Sequence, residues 1–197
     1  MITSFNYFLI KEIADTVVEP NIIKQFLSIN QSTFWIKIKD RIFIVNLGLH
    51  GGIEGAVLKI DFMLQVIEND KETYSSIKTN EGDPLLVMSN VVGVIREWLS
   101  SDMGEQSFSG EFVDFSDVTL IGLWINSKSE VDDDRRRSNM YRYYITKNFE
   151  KLGIKILEEK DITKSWNDSN DVDTDEKYIF MQYKIEPITI GEIRKNL

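Results

Sequence analysis

Apolar and polar positions alternate most clearly at residues 33–46. Phe34, Ile36 and Ile38 fall on one side, with Trp35, Lys37 and Lys39 between them. Ile42-Phe43-Ile44-Val45 is a second β-rich run, so Asp40-Arg41 predicts a hairpin turn. Gly48, Gly51, Gly52 and Gly55 mark a glycine-rich connection. Ala56 to Val66 then reads as a strand, and Tyr74 to Lys78 as another. Asp83 and Pro84 open the strongest helix signal, at 83–101. Its apolar stripe is Leu85, Met88, Val91, Val92, Ile95, Trp98 and Leu99. Residues 101–117 look like a loop, and Val118 to Ile125 like a buried strand.

A second long helix is predicted at 135–152, with Tyr141, Tyr144, Ile145, Phe149 and Leu152 on one side. Gly153 fits its left-handed stop. Ile154 to Leu157 and Tyr178 to Ile185 read as strands. Around them lie an N-terminal extension or arm at 1–30, an acidic loop at 158–176 and a tail at 187–197. Short helices, or a strand then a helix, are expected in the arm. The pattern predicts a single α/β (α+β) domain: a mixed sheet carrying two main helices, about 83–101 and 135–152.

Composition narrows the function more than the fold. The 197 residues are 42% apolar and 11% aromatic, which suits one packed domain. There is no cysteine, so thiolate chemistry, disulfides and zinc–thiolate sites are excluded. The net charge of -9 opposes binding of bare nucleic acid by the whole surface, because phosphates repel such a field. A local basic patch remains compatible with it. The first residues lack a basic stretch and a small-residue cleavage site, and no apolar run is long enough to span a bilayer. The expectation is a soluble protein without a membrane partner.

Two stretches belong together. One is Thr79-Asn80-Glu81-Gly82-Asp83-Pro84 leading into Val91 to Leu99. The other is Val118 to Ile125, a polar loop, Arg137-Ser138-Asn139-Met140-Tyr141, and Leu152-Gly153-Ile154-Lys155-Ile156. Together they resemble an uncharacterised family of small proteins from tailed bacteriophages, which shows a "T-G-x-G-D/N" step into a helix, a strand, an acidic loop and an "S-R-x-x-L-Y" helix start. The resemblance spans about residues 34–185 and departs from the pattern at Met140, where leucine is common. It implies a viral origin and a place in the virion or the host cytoplasm.

Residues 118–157 are also similar to the acetyltransferase fold called GNAT, through Phe149-Glu150-Lys151-Leu152-Gly153-Ile154. An enzyme of that fold holds the coenzyme A pyrophosphate on a glycine loop at a helix N-terminus. The start at Asp132-Asp133-Asp134-Arg135-Arg136-Arg137 has no glycine, and its aspartates repel a pyrophosphate. No cofactor is therefore expected. Whether two central strands splay apart beside the 135–152 helix, and whether a pocket lies there, is the structural observation that bears most on these readings.

No complete catalytic constellation is visible. His50 is the sole histidine, without a serine or cysteine partner at a diagnostic spacing, and reads as an ordinary loop residue. The Gly48–Gly55 stretch lacks the lysine and Ser/Thr of a phosphate loop and fits a hairpin or bulge-rich connection. The three aspartates lack calcium-loop spacing and suit the positive end of a helix. Arg135, Arg136 and Arg137, with Arg142, Lys147 and Tyr141, Tyr143 and Tyr144, form a basic–aromatic cluster of the kind that binds single strands. Neighbouring aspartates neutralise it, so an ion-paired surface, or Arg137 buried as a sheet-to-helix clamp, is the default. Trp166 in the acidic loop is a candidate contact anchor.

The interaction surface expected from sequence is thus Arg135, Arg136, Arg137, Tyr141 and Trp166. The leading function is a non-enzymatic bacteriophage protein, a virion component or accessory protein that contacts other phage or host proteins, with a homo-oligomer as one form of this. The alternatives are a degenerate GNAT-like acyltransferase or coenzyme A-binding domain, and a nucleic-acid-binding accessory protein.

Overall fold

A computed structural model describes residues 18–68, 71–75, 84–128, 136–165 and 177–197. Strands β1 (Ile22–Phe26), β2 (Ser32–Ile38), β3 (Arg41–Gly52) and β4 (Gly55–Glu68) form an antiparallel meander. β5 (Lys71–Ser75) folds back on β4. Helix α1 (Pro84–Ser100) follows, then a separate hairpin of β6 (Glu105–Phe108) and β7 (Glu111–Asp114). After a 3-10 turn at Phe115–Asp117 come β8 (Thr119–Lys128), helix α2 (Arg136–Lys151), β9 (Ile156–Ser165), β10 (Lys177–Thr189) and a short helix α3 (Ile190–Arg194).

The main sheet runs β1-β2-β3-β4-β8-β10-β9, with β5 on β4 outside that path. All its pairs are antiparallel except β4–β8, which is parallel. The mixed α+β fold expected from sequence is therefore present, with both long helices within a residue or so of their expected bounds. α1 packs on β2 and β3 and touches both other helices. One apolar cluster joins Phe34, Leu47, Leu58 and Ile125 of the sheet to Met88 and Trp98 of α1 and Ile145 and Phe149 of α2.

Alternation explains the cluster. On β2, β3 and β4 the residues Phe34, Ile36, Val45, Leu47, Leu58 and Ile60 are all buried on one face. The stripe on α1 is wider than one face, since Val87 to Ile95 is buried without a break. The chain at Val18–Pro20 crosses α1 at Gly93, where a Cβ would strike the Val18 carbonyl and the Pro20 ring. Gly153 adopts φ +78° and ends α2, with Ile154 N–H reaching back to the Phe149 carbonyl.

Several segments differ from the sequence reading. The strand expected at Tyr74–Lys78 lies earlier, as β5 (Lys71–Ser75), and residues 76–78 are outside the described residues. In the arm, where short helices or a strand then a helix are expected, Ile22–Phe26 form strand β1 on the edge of β2, and the following residues to Ser32 form no helix; Ile29 among them is fully buried. Residues 101–117 contain the β6–β7 hairpin, turned at Ser109 (φ 52°) and Gly110 (φ 87°), both left-handed as such turns require. The first part of the expected acidic loop, 158–165, is the charged edge strand β9; residues 166–176 lie outside the described residues. The expected tail at 187–197 is the end of β10 followed by α3, whose Ile190 and Ile193 are fully buried. Pro187 is tolerated because it sits in an irregular stretch, where the pairing with β8 skips between Lys184 and Ile188.

α3 is fastened by its own chemistry. Thr189 Oγ1 accepts from Glu192 N–H at 3.1 Å while Glu192 accepts from Thr189 N–H at 2.9 Å, a reciprocal capping box. Arg194 donates to the Leu99 carbonyl and to Ser116 Oγ, each at 2.6 Å, and to the Ser101 carbonyl, with its guanidinium 5.2 Å from the Phe115 ring centre.

Candidate functional site

The centre of the sheet has an unusual edge. β4 pairs with β8 from Ala56↔Leu120 to Ile60↔Ile125. β8 then continues to Lys128 on β10 alone, while β4 takes β5 as its neighbour from Leu64↔Ser75 to Glu68↔Lys71. Leu64 also pairs with Phe43 of β3, so β5 lies on the edge of β4 that β8 has left. The parallel strands therefore part beyond Ile60 and Ile125, and β5 takes up that edge of β4 from Leu64, beyond Asp61–Met63.

A polar cavity of about 150 Å³ lies on the sheet face opposite the core. Asn30, Gln31, Asn46, His50, Lys59 and Asp61 line it, with Leu47 and Gly48 at its floor. Pairing explains the assembly: Asn46 stands opposite Asp61, and Gly48 opposite Lys59. Gly48 must lack a side chain, because a Cβ would run into the Asn30 carbonyl. Lys59 Nζ meets Asp61 Oδ2 at 3.0 Å, and Thr33 donates to Asn46 Oδ1 at 2.9 Å. Asp61 Oδ1 is buried without a hydrogen-bond partner among the described residues. Its described lining offers one lysine, one carboxylate, one imidazole and three amides, and no side-chain nucleophile.

The structure relocates His50. The expected glycine-rich connection is a tight hairpin, with β3 running to Gly52, β4 starting at Gly55, and Ile53-Glu54 as the turn. His50 is therefore an exposed strand residue at the rim of the polar cavity. Lys59, Asp61 and Asn46 give little sequence signal, since they are ordinary polar positions of half-buried strands. Only their cross-strand register brings them together.

Of the interaction residues expected from sequence, Arg136, Arg137 and Tyr141 belong to the first turns of α2. Arg135, Trp166 and the aspartates 132–134 lie outside the described residues, as does the Thr79–Asp83 stretch. The basic–aromatic cluster is reduced by burial. Tyr144 is 1% exposed and belongs to the core, so it offers no ring to a nucleic-acid base. Lys147 instead lies over Tyr143, 5.7 Å from the ring centre. Among the described residues no three His, Asp or Glu side chains gather as metal ligands, and no helix is long and apolar enough to cross a membrane.

Asp114 supplies a fixed negative charge elsewhere on the surface. Its Oδ1 accepts from Ser116 N–H at 2.8 Å, and this bond, a second with the Ser116 side chain and the nearby Arg194 hold its pKa below the usual carboxylate value. Comparison with known proteins gives no match: not to a family model, a curated protein or a solved structure.

Proposed function

We propose that this chain is a non-enzymatic bacteriophage protein, a virion component or accessory factor, acting through contacts with other proteins. The observation that carries the reading is the pairing of β5 with β4 from Leu64 onward, which leaves no more than Asp61–Met63 of that edge between the parting and β5. The pantetheine arm of coenzyme A carries two amides, and parted parallel strands suit such an arm because it can bond to their open edges like a short added strand. Here β5 already uses that edge from Leu64 to Glu68. The polar cavity lies on the sheet face and pairs its one carboxylate with its one lysine, rather than poising a base beside a nucleophile.

A degenerate acyltransferase or coenzyme A-binding domain is the second reading. It is favoured by the parting of two central parallel strands, β4 and β8, beyond Ile60 and Ile125.

Thermal unfolding with coenzyme A and with acetyl-CoA separates the two. A ligand at a hundred times its Kd stabilises the native state by about 2.7 kcal/mol. The leading reading expects no shift of the midpoint, and a saturable shift would replace it with the second. Mass spectrometry of purified particles then assigns the role: presence makes the protein a virion component, and absence with early expression makes it an accessory factor.

A further inference from the structure

Two exposed aromatic residues stand on surfaces of opposite charge. Phe112 on β7 is 80% exposed. Its strand places it on the same hairpin face as Glu105, Ser107 and Asp114, while Phe108 and Val113 on the other face enter the core. The hairpin is held before any partner arrives. Gln106 Oε1 accepts from Ile29 N–H at 2.8 Å, Asn30 Nδ2 donates to the Ser107 carbonyl at 3.0 Å, and Ser109 Oγ donates to the Gly51 carbonyl. A fixed aromatic loses little freedom on binding, so more of its burial appears as affinity.

The second surface is the edge strand β1. Phe26 is 60% exposed and pairs with Thr33, and Lys24 pairs with Trp35. The Lys24 ammonium lies 4.7 Å from the Trp35 ring centre. Alternation along β2 puts exposed Lys37 on that same face. The β1 edge is thus an aromatic beside two lysines, and the hairpin an aromatic beside two carboxylates.

We propose that these surfaces meet between two copies of the chain, the acidic Phe112 hairpin of one seated on the basic Phe26 edge of the other. Charge complementarity selects this occupant. The carboxylates beside Phe112 repel nucleic-acid phosphates and anionic lipid headgroups alike. The lysines beside Phe26 disfavour pairing of β1 with its own copy, since an antiparallel pair centred on Lys24 sets lysine against lysine. Two different patches in contact make a heterologous interface, which closes into a ring or continues as a filament according to its rotation. The inference is independent of whether the β4 edge admits coenzyme A, so the ligand titration and the association test fail separately.

Sedimentation velocity of the full chain, from micromolar to submillimolar concentration, tests it. The wild type should self-associate. Phe112→Ala and Phe26→Ala should each weaken association by at least about tenfold, as loss of a central aromatic anchor does. An equal mixture of the two variants should associate again, because one retains the hairpin and the other the edge. A wild type that stays monomeric overturns the proposal. So does association that survives either substitution, or a mixture that fails to restore it. Both side chains are exposed, so the thermal midpoint should hold. If either midpoint falls, Glu105→Lys and Lys24→Glu replace that pair and are read by the same criteria.

Discussion

The indole N–H of Trp98 donates to the hydroxyl of Ser32 at 2.9 Å, and both side chains are fully buried. The same hydroxyl accepts from Ser28 N–H at 2.9 Å and donates to the Ser28 carbonyl at 2.8 Å. One oxygen thus ties α1 to the first residue of β2 and to the loop before it. Ser32→Ala strands the indole and two backbone groups away from water. An orphaned buried polar group costs about 1–3 kcal/mol. Urea unfolding should show a lower midpoint with an unchanged slope. A loss below about 0.5 kcal/mol, the range of neutral surface changes, would mean that these groups find other partners.

The helices were legible because their signals were local. Pro84 starts α1, and Met88, Val91, Ile95, Trp98 and Leu99 are all buried as their spacing predicts. Tyr144, Ile145, Phe149 and Leu152 do the same for α2. What escaped was non-local. Asn46, Lys59 and Asp61 meet only through the register of β3 and β4. Strand β6 carries a single core residue, Phe108, and β7 only Val113, too few to show a period. The buried end of the chain was hidden by Pro187, whose usual meaning as a strand breaker fails where the ladder with β8 is irregular. The parting of β4 from β8 depends on a return by β5 that no spacing in β4 announces.

The capping box makes stability depend on acid. Hydrogen bonds with Thr189 hold the Glu192 pKa below 4.5, and those with Ser116 hold Asp114 below 3.8. A carboxylate whose folded pKa is lowered contributes stability that is present above its unfolded pKa. That contribution is lost as pH falls through the folded pKa. The thermal midpoint should therefore decline below these ordinary values. Glu192→Gln carries no such charge, so its decline over the same window should be shallower. Thr189→Ala should cost about 1 kcal/mol at neutral pH, as loss of a helix N-cap does. Identical pH profiles for wild type and Glu192→Gln would show that the Glu192 charge does not contribute.

The pair in the polar cavity should be strongly coupled, because its two members are unequally buried. The Asp61 side chain is 17% exposed and its Oδ1 has no hydrogen-bond partner among the described residues, while Lys59 is 37% exposed. Lys59→Met removes the cation that faces Oδ2 and leaves a largely buried carboxylate uncompensated. Lys59→Met/Asp61→Leu removes the charge as well as its partner, and Leu fills most of the same space. The double variant should therefore be more stable than Lys59→Met alone, with a coupling energy of about 0.5–3 kcal/mol, the range for residues in contact. Urea unfolding of the wild type, both single variants and the double variant closes the cycle. Additive losses would mean that Asp61 is solvated well enough to stand without Lys59, and the ion pair would then contribute to the shape of the cavity but not to its stability.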